Sequence, residues 1–156
     1  MKFIITLCSW LFFFNTSNHI QHQVTLNPEK ARLVDVELTI KNIRNNNGKI
    51  RIGIFKDNAS FDKEIPFKAV ISLKQTVSNG VLKVKTQLEP GVYGASLVDD
   101  ENGNDKMDFN FVGIPKEGFG FSNYYHTGFT KPKIQAFQFE VKEGISPKIE
   151  MVIRYL

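Results

Sequence analysis

Residues 33–56 read LVDVELTIKNIRNNNGKIRIGIFK. Val34, Val36, Leu38 and Ile40 alternate with Asp35, Glu37, Thr39 and Lys41, a period of two that gives an extended strand one apolar and one polar face. Ile50, Ile52 and Ile54 repeat the pattern, with Arg51 facing outward. Between the two runs stands Asn45-Asn46-Asn47-Gly48. Asn and Gly tolerate positive φ, so this spacing predicts a turn closing an antiparallel hairpin.

The same alternation recurs downstream. Lys68–Gln75 carries Ala69, Ile71 and Leu73 on one face, and Val81–Leu88 carries Leu82, Val84 and Leu88. Val92–Val98 carries Tyr93, Ala95 and Leu97; Ala136–Lys142 carries Phe137, Phe139 and Val141; Lys148–Leu156 carries Ile149, Met151, Ile153 and Tyr155. Turn residues fall between these runs at Ser78-Asn79-Gly80, Glu89-Pro90-Gly91 and Gly144–Pro147. Phe61–Phe67 is irregular, and Pro66 argues for a loop or one helical turn there. Seven short strands without an amphipathic helix predict an all-β fold. The expected architecture is an antiparallel seven-stranded β-sandwich of the immunoglobulin or prealbumin type. It spans residues 31–156 as a single domain, with one long Gly/aromatic-rich loop.

The N-terminus has a different character. A short basic start, Met1-Lys2, precedes the apolar run FIITLCSWLFFF (3–14) and the small polar Asn15–Asn18. That layout predicts a secretory signal peptide over 1–18, and the run is too short to span a bilayer. Residues 19–30 are expected to form an extended or disordered lead. The expected location is periplasmic or extracellular, with no transmembrane segment after cleavage. Cys8 and Trp10, each the only one of its kind, leave with the signal, so thiol catalysis, disulfides and zinc–thiolate sites are excluded. The formal charge of +4 is spread without Lys/Arg runs and gives no footprint for nucleic acid.

Chemistry concentrates in residues 99–123, DDENGNDKMDFNFVGIPKEGFGFSN. Asp100, Asn102 and Asn104 place side-chain oxygens at alternate positions, followed by the Lys106 carbonyl and Asp108. Alternate oxygens on a curled loop are what a hard cation such as Ca²⁺ requires. Asp99 and Glu117 are possible additional ligands. Asp105 and Phe111 stand where the best-known calcium loop has Gly and a bidentate Glu, and the flanks are strand-like, so an EF-hand is not expected. The same Asp, Asn and Gly residues also serve ordinary turns, and a purely structural turn is the competing reading.

The following stretch interleaves Phe109, Phe111, Phe119, Phe121, Tyr124, Tyr125 and Phe129 with Gly113, Gly118, Gly120 and Gly128. Either the aromatics cap one end of the core, or Phe119, Phe121, Tyr124 and Tyr125 form a stacking surface for a glycan, peptide or cell-envelope protein. His19 and His22 lie near the expected cleavage point, and His126 stands alone. No nucleophile elbow, zinc-protease helix or phosphate-cradling motif is present, and no catalytic base is evident.

Four segments carry a family resemblance: NGKIRIGIF (47–55), LEPGVY (88–93), DENGN (100–104) and GIPKEGFGFSN (113–123). Together with the N-terminal segment they resemble the bacterial exported proteins grouped as domain of unknown function DUF2141. The resemblance covers nearly all of 33–156. It implies an exported β-sandwich from a Bacteroidetes-like Gram-negative bacterium and implies no activity. The family's usual loop has Gly where Asp105 stands here. The expectation is therefore a non-enzymatic exported module with a structural calcium loop; the alternative is a carbohydrate- or peptide-binding protein using the aromatic loop.

Overall fold

The computed structural model describes residues 32–156. The expected signal peptide and lead lie outside these residues. Among the described residues there are eight strands: β1 (Val34–Lys41), β2 (Lys49–Phe55), β3 (Lys68–Leu73), β4 (Leu82–Leu88), β5 (Gly91–Asp100), β6 (Gly118–Phe121), β7 (Gln138–Val141) and β8 (Lys148–Val152). One helical turn, α1 (Asn58–Asp62), lies between β2 and β3. Pro66 follows it, where its missing N–H costs no ladder bond.

The strands form a three-stranded sheet, β4-β1-β8, and a five-stranded sheet, β3-β2-β5-β6, in which β7 also pairs with β5. β5 is the long organising strand. Along one side it pairs with β2; along the other, β6 takes Ser96–Asp99 and β7 takes Gly91–Gly94. Inward residues of both sheets share one apolar cluster, with Leu38, Ile40, Ile50, Ile54, Ala95, Met151 and Ile153 fully buried. At ~25 cal/mol per Å² of apolar surface, this burial is the main stabilising term. The period-two reading identified nearly every one of these side chains.

The architecture corrects three expectations. β1 and β2 are not a hairpin: β1 pairs with β4 and β8, β2 with β3 and β5, and residues 42–48 cross between the sheets. Asn42 leaves the strand at φ +65° and donates from its side chain to the Ile153 carbonyl at 2.7 Å. Ile43 then tucks into the core, and its N–H reaches the Gly80 carbonyl. Burying Ile43 turns the chain away from its own neighbour. Second, the described residues hold eight strands rather than seven, because GFGF in the aromatic stretch is β6. Third, β8 runs parallel to β1, Leu38 opposite Ile149, so the fold is not wholly antiparallel.

Candidate functional site

Consecutive residues of a strand point to opposite faces, and this separates Asp99 from Asp100. Both are fully buried. Asp99 faces inward: one oxygen meets Lys74 and the other accepts the Tyr155 hydroxyl at 2.6 Å. Burial and this hydrogen bond raise the Tyr155 hydroxyl well above its ordinary range. Asp99 is thus committed elsewhere and does not face the loop that follows.

Asp100 organises that loop. Its two oxygens accept the backbone N–H groups of Asn104 and Asp105, each at 3.0 Å, and Lys49 Nζ lies 3.8 Å away. Asn102 and Asn104 form Asx turns, their side-chain oxygens accepting the N–H of Asn104 and Lys106. Their amide nitrogens converge on one oxygen of Asp108, at 2.6 and 2.8 Å. Asp105 takes the sharp turn where a Gly was expected, at φ +66°.

Residues 109–116 fold back as a small closed loop, with a bridge between Phe109 and Pro115 and with Asn110 accepting the N–H groups of Val112 and Ile114. The return delivers Glu117 to the acidic loop. Its Oε2 accepts the Asp108 N–H at 3.3 Å, whereas Oε1 is buried with no hydrogen-bond partner among the described residues. Burial pushes the Glu117 carboxyl up, and the neighbouring charges of Asp100 and Asp108 push it further. Asp100, Asn102, Asn104, Lys106, Asp108 and Glu117 are therefore brought to one loop. Among the described residues no three His, Cys, Asp or Glu side chains form a metal shell by themselves. Asparagine and backbone oxygens are needed to complete one.

Glu101 belongs to a different group. Arg44 grips it through two hydrogen bonds of 2.7 and 2.6 Å, holding its carboxyl below the usual range, and Asn45 adds a third. The Arg44 guanidinium lies over the Tyr155 ring.

The aromatic segment divides by burial. Phe121 is buried in a second cluster with Phe55, Phe61, Ile134 and Phe137, and Phe119 and Tyr124 pack against it. The Phe121 and Phe137 rings lie 4.9 Å apart. Tyr125 is exposed, as are Phe109, Phe111 and Phe129. On the outer face of the five-stranded sheet, Gly53, Ala69 and Ser96 are small, and walls of Phe109, Phe119 and Phe129 enclose a groove of about 540 Å³. Sequence reasoning missed this groove. Its trace was the run of small residues in the outward register of three strands. It also missed Lys74, which shares the register of half-buried Val70 rather than that of exposed Ile71.

Two sheets around one core, with an oxygen-rich loop between β5 and β6, define a β-rich module. Residues 38–148 match the model of a family described as an uncharacterized protein conserved in bacteria (DUF2141), and the chain belongs to that family. No curated protein and no solved structure matches it.

Proposed function

We propose that this chain is a non-enzymatic exported β-sandwich module, immunoglobulin- or prealbumin-like, whose loop between β5 and β6 holds a structural Ca²⁺. The observation that carries the reading is Glu117: a buried carboxylate oxygen without a partner, beside Asp100 and Asp108. The charges of Asp100 and Asp108 act against ionisation of Glu117, and a divalent cation relieves that repulsion. The ligands are Asp100, Asn102, Asn104, the Lys106 carbonyl and Asp108, with Glu117 completing the shell. The side-chain oxygens of Asn102 and Asn104, which already stand at alternate positions of the loop in their Asx turns, supply the neutral ligands. Calorimetry with calcium against EDTA is expected to show binding in the protein and none in Asp100→Ala/Asp108→Ala. No heat and no thermal shift at millimolar calcium would leave the loop as a turn only.

A second reading is favoured by the groove and the exposed Phe109 and Phe129 that line it. Aromatic walls over small residues suit an extended glycan or peptide. Phe121 and Tyr124 are packing residues in this reading, and the contacts fall to Phe109, Phe119 and Phe129. A glycan or peptide array hit that is lost in Phe109→Ala/Phe129→Ala supports it; blank arrays count against it.

A further inference from the structure

We propose that Lys74 and Asp99 form an intramolecular isopeptide bond, a covalent amide from Nζ to Cγ that ties the end of β3 to β5. Lys74 opens a 3-10 turn directly after β3, and Asp99 lies on β5 with β2 between them. The two side chains touch, and neither has any exposed surface. No other group satisfies them: Lys74 Nζ and Asp99 Oδ1 have no hydrogen-bond partner among the described residues. The remaining oxygen, Oδ2, accepts the Tyr155 hydroxyl, and that hydroxyl in turn accepts the Arg44 N–H at 3.3 Å.

This is poor design for an ion pair. An ammonium offers three donors, and a buried one stabilises only when its donors are filled and its charge is matched by good geometry. It is good design for condensation. Nucleophile and electrophile are held in contact, which removes the entropic cost of bringing them together. Water is excluded, which opposes hydrolysis of the product. A donor sits on the oxygen that remains.

The step balances within the pair. Nζ first passes one proton to Oδ1, giving the free amine and the carboxylic acid; the Nζ–Cγ bond then forms and the Cγ–Oδ1 bond breaks. Two of the three ammonium protons leave with Oδ1 as water, and the third stays on the amide nitrogen. No oxidant, reductant or external group is consumed. Negative charge builds on Oδ2 in the tetrahedral intermediate, and the Tyr155 hydroxyl hydrogen bond is aimed at that atom. The product removes both buried charges and the orphaned Oδ1, and it keeps the Tyr155 contact on the new carbonyl.

The test is the mass of the wild-type protein, exported from its full chain, with its N-terminus determined by sequencing. We expect an intact mass lower than that of the sequence by one water. We also expect a branched peptide after digestion joining the Lys74 and Asp99 segments, and no tryptic cleavage after Lys74. Lys74→Arg, which keeps a positive charge but lacks the amine, is expected at full mass. Tyr155→Phe is expected to leave a fraction of chains unjoined. A wild-type protein at full sequence mass overturns the proposal, as does a water loss that maps to a succinimide elsewhere in the chain.

Discussion

Asp105 keeps its backbone at φ +66° while its carboxylate lies 2.8 Å from Lys49 Nζ on β2. The residue does two jobs. Asp tolerates the left-handed region better than most residues, so the loop turns without a Gly. The Lys49 hydrogen bond, helped by Arg51, holds the carboxyl below its ordinary range and ties the turn to the sheet. The two contributions separate by substitution. Asp105→Gly relieves the backbone and loses the tether; Asp105→Ala loses the tether and keeps the strain. Urea denaturation is expected to rank Asp105→Ala below Asp105→Gly. Equal midpoints would mean that the left-handed turn carries no strain.

Phe121 and Phe129 lie eight positions apart in one segment and should respond oppositely. Phe121 is 7% exposed and meets five aromatic rings, those of Phe61, Phe119, Tyr124, His126 and Phe137; Phe129 is 88% exposed. Phe121→Ala should cost about 3–5 kcal/mol, the range for emptying a packed aromatic site. Phe129→Ala should stay within about 0.5 kcal/mol. Chemical denaturation of both variants checks this. Any binding lost in Phe129→Ala then reports on the groove rather than on unfolding.

The legible part of this fold is the part that local chemistry fixes. Alternation assigned the inward faces of β1, β2, β4, β5 and β8 because a half-buried strand must repeat with period two. Turn chemistry predicted that the chain bends at Asn45–Gly48 but says nothing about which strand becomes the ladder partner. That depends on Ile43, whose burial draws the connection across to the other sheet. β6 was hidden by its glycines, which read as loop. A Cβ on Gly118 would stand 2.4 Å from the Tyr155 ring, and one on Gly120 would stand 2.9 Å from the Val152 carbonyl. The strand is glycine-rich because it lies flush against the C-terminal segment. The acidic loop was legible as a set of ligands in order. Asp99 was not separable from Asp100 until strand register assigned them to opposite faces, and Lys74 gave no local sign of its partner 25 positions later.

Asp57 caps α1 by accepting the Ser60 N–H at 2.7 Å, and this bond holds its carboxyl below the ordinary range. A depressed folded value sets the sign. The contribution is present above the ordinary Asp value of about 3.9 and is lost as pH falls through the lower folded value. α1 carries Phe61 into the second aromatic cluster, so acid should loosen this corner first. Amide exchange at residues 60–64, followed downward from pH 5, should accelerate relative to β5. Asp57→Asn keeps a neutral cap and should remove that pH dependence; an unchanged profile would place the acid sensitivity elsewhere.

Glu117 is the residue on which the calcium reading turns, and it makes two opposite predictions. Without calcium its carboxylate is buried beside Asp100 and Asp108 with one oxygen unpaired. Glu117→Gln removes that charge and supplies an amide donor for the neighbouring carboxylates. The calcium-free variant should therefore be more stable at neutral pH, by about 1 kcal/mol, the scale of relieving one unsatisfied buried group. With calcium the order should reverse. An ion at a hundred times its dissociation constant adds about 2.7 kcal/mol to the folded state. The wild type should gain that amount, whereas Glu117→Gln, having lost a charged ligand, should gain less at the same concentration. Thermal melts of both proteins in EDTA and in calcium measure all four states. Equal calcium shifts in the two proteins would remove Glu117 from the shell, and no shift in either would return the loop to a turn held by its own hydrogen bonds.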